Sequence, residues 1–307
     1  MSKFVDVCRP LFSSPIVVVD VGAAGGVHEL ESLAPLCEVH AVEPRDDSYQ
    51  ELSETNRQSP YAQFSSHSKG LAKVKGVYTL YVTKTPEASS LYPPNTPLIK
   101  RWRQDDVFDV AGEVDIDCIT LEEMLSSKKV NYVDVIKIDT QGSELDILLG
   151  AGRYLDKISI IKCEVEFVEL YRGQPLFDDV VRELSKCGFR FVDFFDGASC
   201  GHERDKQKRI WGDAIFIKKS IPDTDKSFKA ASVLIDMSYY EEANWLIEDN
   251  GEDSRLLQAL IDAHISDLYY RPAFLMKINA RIEKVGKRNK FIEKIRQILV
   301  RVITRFR

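Results

Sequence analysis

A strand that runs directly into a glycine-rich turn is the feature that most constrains the fold of this chain. Residues 15–21 form a short β-branched run, and Gly22, Gly25 and Gly26 follow it. A continuous apolar strand is typical of a parallel sheet that is covered on both faces. Small residues after such a strand let the backbone approach a ligand closely. The turn therefore predicts a ligand site at the carboxyl end of a central strand.

Strand and helix patterns alternate through the first two-thirds of the chain. The predicted strands are residues 15–21, 38–42, 78–83, 133–138, 158–167, 189–195 and 214–218. The predicted helices are residues 27–36, 121–127, 143–150 and 177–187, whereas residues 85–112 have the turn formers of a long loop. This alternation favours an α/β fold with a doubly wound, mainly parallel sheet.

The strand patterns stop near residue 221. Residues 228–248 and 254–270 show amphipathic helical patterns on either side of a turn. We therefore predict a catalytic domain over residues 1–220 and a helical C-terminal region over residues 221–307. A total of 307 residues suits one catalytic domain with an appendage.

A carboxylate at the end of the second strand narrows the class of ligand. Glu43 follows Asp20 by 23 residues, and an acid there can accept hydrogen bonds from both ribose hydroxyls of an adenosine. Asp20 precedes Gly22 by two residues, where it would repel a pyrophosphate and attract the amino group and sulfonium of S-adenosylmethionine (SAM). These residues favour SAM as cofactor. An NAD-dependent oxidoreductase is the alternative, disfavoured because the turn lacks G-x-G-x-x-G.

Four segments occur in the order and at the separations of a known family. They are Val18-Val19-Asp20-Val21-Gly22-Ala23, Ala41-Val42-Glu43-Pro44, Ile136-Lys137-Ile138-Asp139-Thr140-Gln141-Gly142-Ser143-Glu144 and Glu164-Val165-Glu166-Phe167. In these segments the sequence resembles the FkbM family of SAM-dependent methyltransferases, over about residues 15–218. The resemblance implies a Rossmann-like, class I methyltransferase sheet of seven strands with the last antiparallel. It also implies O-methylation of a saccharide or natural-product hydroxyl.

The resemblance also implies roles for individual residues. Asp20, Gly22, Ala23 and Gly26 match the loop around the methionine part of the cofactor, and Glu43 matches the ribose-binding acid. Two positions depart from the family, which usually has Asn at Ala24 and Glu at Gln141. The second departure questions a catalytic role at Gln141, because an amide cannot act as a base. A SAM-binding scaffold without catalysis is therefore a further alternative.

Three residues are candidates for catalysis. Asp139 ends a central strand, so we expect it to contact the cofactor or the acceptor; capping of the next helix is the alternative. Glu164 is a candidate base, or the partner of Lys137 or Lys162 in an ion pair. His202 lies on a predicted loop that can reach the acceptor, or is structural. Asp139 and Glu164 together would suit a divalent cation, but we favour no metal.

The acceptor is predicted to be a saccharide or glycoconjugate, on the basis of the resemblance. Only about fourteen residues precede the first strand, so acceptor recognition is expected from residues 85–112 or from the C-terminal helices. Tyr92, Trp102 and Arg103 are the candidates for stacking on a sugar or pairing with an anion.

Charge is distributed unevenly along the chain. The net charge is −6, of which residues 275–307 contribute +9 and the remainder −15. Residues 288–305 combine apolar side chains at helical spacing with Lys and Arg, which suits an anionic membrane surface or docking on an acidic protein surface. Nucleic acid is a weaker candidate partner. With no signal-peptide pattern or long apolar run, we predict a soluble, cytoplasmic protein, with contact to the inner membrane surface left open.

Overall fold

A computed structural model of the chain describes residues 2–55, 57, 59–102, 105–200, 206–221, 223–248 and 254–270. These residues form two compact units, one of residues 13–230 and the other of residues 2–12 with 231–270. The division into a catalytic domain over 1–220 and a helical region over 221–307 stays a prediction, because compactness does not define which residues activity needs.

The described part of the larger unit contains ten strands. They are β1 (Ile16–Val21), β2 (Cys37–Val42), β3 (Gln63–His67), β4 (Gly70–Leu71), β5 (Gly76–Thr83), β6 (Val110–Ile119), β7 (Val133–Ile138), β8 (Ile158–Glu166), β9 (Phe189–Cys200) and β10 (Lys208–Lys218). Seven of them form one sheet in the order β3-β2-β1-β7-β8-β10-β9. The pairs from β3 to β8 are parallel, and β10 is antiparallel to both of its neighbours. This confirms the predicted seven-stranded α/β sheet with its last strand antiparallel.

A second, three-stranded sheet has the order β4-β6-β5. Residues 78–83 form a strand as predicted, but they lie in this second sheet. Strands β3, β4 and β6 were not predicted from the sequence, because β3 is polar and half-buried and the first half of β6 is exposed. The strand pattern of the sequence therefore did not predict the second sheet.

The described residues also form ten α-helices. They are α1 (Lys3–Cys8), α2 (Asp46–Thr55), α3 (Thr96–Arg101), α4 (Asp105–Phe108), α5 (Leu121–Ser127), α6 (Glu144–Leu149), α7 (Phe177–Lys186), α8 (Thr224–Asp236), α9 (Tyr240–Glu248) and α10 (Ser254–Tyr270). The helices predicted at 121–127, 143–150 and 177–187 are confirmed by α5, α6 and α7. The predicted helical character of the chain after residue 221 is also confirmed as far as residue 270.

The helix predicted over residues 27–36 is wrong. Residues 27–33 form turns, and only Ala34–Leu36 form a 3-10 turn. Leu30 has a φ of +55°, which a right-handed helix does not allow. The hydroxyl of Tyr61 donates to the carbonyl of Glu29 at 2.6 Å. In a helix this carbonyl would instead accept a hydrogen bond from a backbone N–H. The glycine turn therefore does not open a helix.

The long loop predicted over residues 85–112 is also wrong, because it contains α3, α4 and the start of β6. The helices form because this segment has a small core of its own. Ile99 and Phe108 are buried against Tyr171, and Trp102 packs on the same cluster. Burial of these apolar side chains stabilises helices that are too short to be stable alone.

The single helix predicted over residues 228–248 is interrupted between α8 and α9. Tyr239 N–H donates to the Leu234 carbonyl at 2.7 Å, and Ser238 N–H donates to the Ile235 carbonyl at 2.9 Å. This pair of bonds is a Schellman motif, whose penultimate residue adopts the left-handed conformation. Ser238 occupies that position with a φ of +68°, which is unfavourable for a residue with a Cβ.

Replacing Ser238 with Gly is expected to stabilise the protein by about 1 kcal/mol, because glycine has no Cβ penalty at positive φ. Urea denaturation followed by far-ultraviolet circular dichroism measures the change. Ser238→Ala retains the Cβ and is the matched control, with no stabilisation expected. Equal stability of the two variants would show that the left-handed conformation does not strain the helix end.

Candidate active site

The glycine turn after β1 brings three strand ends together. Gly22 has a φ of +80°, and a Cβ there would lie 1.9 Å from the main-chain oxygen of Asp139. The N–H groups of Gly22 and Ala23 donate to the carbonyl of Val42 at 3.0 and 3.1 Å, and Asp139 N–H donates to Val21 at 3.0 Å. Only glycine fits at position 22, and the carboxyl ends of β1, β2 and β7 meet around it.

A cleft opens over these strand ends, and it encloses about 660 Å³ when its open mouth is included. Gly22, Glu43 and Asp139 line it on the side of the main sheet. Its apolar lining comes partly from the second sheet and the segment beside it, and includes Leu71, Leu80, Leu91 and Ile116. The cleft therefore offers acids on one side and apolar surface on the other, as a nucleoside with a flat base and a hydroxylated sugar requires.

Glu43 is fixed at the end of β2 by its backbone and by its side chain. Its N–H donates to the carbonyl of His67 at 3.0 Å, and its Oε1 accepts from the N–H of Arg45 at 2.9 Å. Burial raises the pKa of Glu43, and the hydrogen bond from Arg45 opposes the rise. The structure thus places the predicted ribose-binding acid in the cleft, with one oxygen held by the protein.

Asp20 lies beneath the turn. Its Oδ1 is 3.2 Å from Nζ of Lys137, which also donates to the carbonyl of Gly22 at 3.2 Å and lies 3.8 Å from Oδ2 of Asp139. Burial raises the pKa of Asp20 to about 6, although Lys137 opposes the rise. The carboxyl group therefore acts on the turn through Lys137, and its direct contact with a cofactor stays a prediction.

The other residues predicted around the methionine part of the cofactor occupy different environments. Ala23 is buried, and neither Ala23 nor Gly26 lines the cleft, whereas Ala24 does. Their roles stay predictions. The position that departs from the family pattern, Ala24, is thus the one of the three that faces the cleft.

Gln141 joins the two candidate acids Asp139 and Glu164. Its Nε2 donates to Oδ1 of Asp139 at 3.0 Å and to Oε1 of Glu164 at 2.6 Å. Its Oε1 accepts from the hydroxyl of buried Tyr171 at 2.8 Å, and its carbonyl accepts from Oγ of Ser90 at 2.6 Å. The amide therefore uses both donors and its acceptor. A glutamate at this position could not replace it, because it donates no hydrogen bond when ionised and only one when protonated.

The two acids that Gln141 joins differ in exposure. The Asp139 side chain is 39% exposed and lines the cleft, whereas Glu164 is buried. Burial raises the pKa of Glu164 well above its ordinary value, and the charge of Asp139 adds to the rise. Because Glu164 is buried away from the cleft and Asp139 lines it, Asp139 is the stronger candidate for the base.

Asp139 does not cap the helix that follows it. The N-cap of α6 is Ser143, and the side chain of Asp139 contacts Gln141 and Lys137. Glu144 fixes the intervening loop, because its carboxyl oxygens accept from the N–H groups of Thr140 at 2.7 Å and Gly142 at 2.9 Å. The capping alternative is thus wrong, and Asp139 is free to face the cleft.

The ion pairs predicted as alternatives for Glu164 form with other acids. Lys137 pairs with Asp20, and Lys162 donates to Glu29 at 2.7 Å with Asp213 at 3.9 Å. Among the residues described, no group of three or more His, Cys, Asp or Glu side chains is arranged to hold a metal ion.

The aromatic residues predicted to recognise the acceptor are engaged within the protein. Tyr92 donates to Oδ2 of Asp146 at 2.6 Å, and Trp102 packs on the core beneath α3. Arg103 and the candidate catalytic residue His202 lie outside the described residues. Tyr171 was not predicted as a site residue, although it follows one of the family segments, because its contact with Gln141 depends on tertiary packing.

The sheet order, the glycine turn and the acids at the strand ends define the class of the protein, a Rossmann-like methyltransferase fold. The FkbM methyltransferase domain family matches residues 20–191, which is more than half of the chain. The chain therefore belongs to the FkbM methyltransferase family. No curated protein matches the sequence significantly.

Solved methyltransferase structures resemble the chain at low identity. The FkbM methyltransferase of Methylobacillus flagellatus is 16% identical with a TM-score of 0.39, over 66% of this chain and 43% of its own. The chain thus matches less than half the length of that protein. Magnesium protoporphyrin IX methyltransferase of Synechocystis, solved with bound SAM, is 11% identical (TM-score 0.33; 69% and 77% covered). An rRNA methylase of Streptococcus thermophilus is 11% identical (TM-score 0.36; 70% and 94% covered).

Replacing Gln141 with Glu is expected to destabilise the protein most at high pH. An ionised glutamate loses both donated hydrogen bonds and repels two neighbouring acids, so its folded-state pKa lies above the unfolded value. Stability is then lost as the pH rises through that folded pKa. We expect a loss of about 2 kcal/mol at pH 8 that shrinks toward pH 5, measured by urea denaturation.

Gln141→Met is the matched control for this prediction. It removes the same hydrogen bonds without adding charge, so its loss of stability is expected to change little between pH 5 and pH 8. A Gln141→Glu variant with the same deficit at both pH values would contradict the placement of the amide between two acids.

Proposed function

We propose that this chain is a SAM-dependent O-methyltransferase that acts on a hydroxyl group of a saccharide or glycoconjugate. The observation that carries the proposal is the shared cleft, in which Glu43 and Asp139 flank the turn at Gly22. Membership of the FkbM methyltransferase family supports methyl transfer. The preference for an oxygen acceptor on a saccharide rests on what that family implies.

The residues of the cleft fit the parts of SAM by their chemistry. Leu71, Leu80 and Ile116 offer apolar surface for the adenine, and Glu43 offers a carboxylate oxygen for the ribose hydroxyls. Gly22 leaves room for the methionine part beside the backbone, where the acid of Asp20 lies close by.

Asp139 is the proposed general base. SAM supplies an electrophilic methyl group when it is bound. A saccharide hydroxyl is a weak nucleophile, so a carboxylate that accepts its proton during attack assists the reaction. Gln141 holds Oδ1 of Asp139, so Oδ2, which Nζ of Lys137 approaches to 3.8 Å, is the oxygen proposed to accept the proton. The cleft aligns the two reactants.

The proposals on partners and location rest on sequence. No helix among the described residues is long and apolar enough to cross a membrane. Residues 288–305 lie outside that part of the chain, so peripheral membrane contact through the basic tail remains a proposal, as does a cytoplasmic location. Nucleic acid is not proposed as a partner.

Replacing Glu43 with Ala is expected to weaken SAM binding about 10- to 100-fold, because hydrogen bonds to a carboxylate contribute about 1.5–3 kcal/mol. Titration calorimetry with SAM, S-adenosylhomocysteine and NAD measures the effect. Glu38→Ala, on the same strand but outside the cleft lining, is the control and should retain wild-type affinity. If Glu43→Ala binds SAM with unchanged affinity, Glu43 does not bind the ribose. If the protein binds NAD but neither SAM nor S-adenosylhomocysteine, the proposed cofactor is wrong.

Replacing Asp139 with Asn is expected to lower kcat about 10²- to 10⁴-fold while SAM affinity changes little, because Asn cannot accept the proton but can still accept from Gln141. Transfer of labelled methyl from SAM to a panel of methyl glycosides measures kcat. Glu164→Gln should retain most of the activity, since burial already favours a neutral side chain there. The reverse ranking of these two variants would assign the base to Glu164.

A further inference from the structure

Phe195, in β9, presents an exposed aromatic ring beside the charged side chain of Lys162, which pairs with Glu29 and Asp213. The Phe195 side chain is 51% exposed. It is the extra residue of a β-bulge, because Asp213 pairs with Asp196 while the next residue, Ala214, pairs with Phe194. The ring centroid of Phe194 lies within 5.2 Å of the ring centroids of three other phenylalanines. Bulges commonly redirect side chains beside active sites, and this one leaves one of two adjacent rings open to solvent.

A buried lysine fixes the exposed ring. Nζ of Lys162 lies 4.8 Å from the ring centroid of Phe195. Lys162 is itself held by the hydrogen bond to Glu29 at 2.7 Å and lies 3.9 Å from Asp213. The attraction between a cation and an aromatic face orients the ring without covering it. Phe195 is thus a preformed apolar surface surrounded by charged groups.

The ring lies on the side of Asp139 that is opposite to Glu43. Along the sheet, Glu43 follows β2, Asp139 follows β7, and Lys162 and Asp213 belong to the next strands, β8 and β10. Asp213 pairs with Glu164, and Ile138, just before Asp139, pairs with Cys163, just before Glu164. The two aspartates are therefore at a similar level along the strands, about 10 Å apart across two strand spacings. An adenosine at Glu43 would leave this end of the sheet free for the acceptor.

We propose that Phe195 and Asp213 form the acceptor subsite, in which the apolar face of a saccharide ring stacks on Phe195 and its hydroxyls donate to Asp213 and Asp139. This inference rests on the proposed function. An aromatic ring beside carboxylates matches the two surfaces of a sugar, which carries C–H groups on its faces and hydroxyls around its edge.

The subsite replaces the acceptor residues expected from the sequence. Tyr92 and Trp102 are committed to Asp146 and to the core, whereas Phe195 is exposed and lies beside the acids. The charged groups around the subsite are Lys162 and Glu29 beside the ring, Asp213 at the bulge and Asp139 with Lys137 toward the cleft. The three acids in this set provide acceptors for hydroxyl groups.

Replacing Phe195 with Ala in the full chain tests the proposal. The probes are methyl α-glucopyranoside, methyl α-mannopyranoside and methyl β-galactopyranoside, with transfer of labelled methyl from SAM as the assay. We expect KM for a glycoside that the wild type methylates to rise about tenfold or more, with kcat and SAM affinity little changed. Phe195→Tyr retains the ring and should keep KM near the wild-type value.

Trp245→Ala is the matched control, because the Trp245 side chain is also 51% exposed but belongs to the other compact unit. If Phe195→Ala leaves KM as unchanged as Trp245→Ala does, the subsite is wrong while methylation of a glycoside still supports the proposed function. Loss of SAM affinity in Phe195→Ala would overturn the subsite by assigning the ring to the cofactor. If the wild type binds SAM but methylates none of the glycosides, the saccharide acceptor fails, and the subsite fails with it.

Discussion

The close approach of the Gly22 backbone to the main-chain oxygen of Asp139 sets the geometry of the whole site. A side chain at position 22 would push β1 and β7 apart at their carboxyl ends, since a Cβ would meet that oxygen at 1.9 Å. The same turn is bonded to Val42 at the end of β2. Glu43 and Asp139, each the first residue after its strand, therefore reach one cleft although 96 residues separate them in the sequence. In open α/β sheets, ligands bind at this edge for the same reason.

Burying so many acids near one edge requires specific compensation. Each buried carboxylate loses hydration, which costs several kcal/mol unless a partner replaces the water. Lys137 forms ion pairs with Asp20 and Asp139, and Lys162 forms them with Glu29 and Asp213. The neutral amide of Gln141 donates hydrogen bonds to Asp139 and Glu164. Gln141 thus performs by hydrogen bonding what a further cation would do by charge. Its departure from the family pattern is consistent with a working site, because the amide supports the acid that faces the cleft.

The sequence predicted the parts of the fold that depend on local pattern. The strands that end beside Asp20, Glu43 and Asp139 are largely buried, those of β1 and β7 being rich in Val and Ile, and their alternation with helices predicted a parallel sheet. The helix predicted over residues 27–36 is wrong, although its apolar residues have helical spacing. The turn that forms instead depends on the positive φ of Leu30 and on the hydrogen bond from Tyr61, which is distant in the sequence. The second sheet was missed because the exposed half of β6 has no buried face to produce an alternating pattern.

The proposed location of the acceptor could not be predicted from the sequence for a related reason. Tyr92 and Trp102 lie in a segment whose sequence resembles a binding loop, but the bond to Asp146 and apolar packing leave them half-buried. Phe195 lies in β9 among other phenylalanines that are buried or half-buried, so the sequence gives no reason to expect one exposed ring. Its exposure results from an extra residue opposite Asp213, and only strand pairing reveals that. The second sheet lines one side of the cleft, so the proposed acceptor would approach Asp139 from the side of β8 and β10.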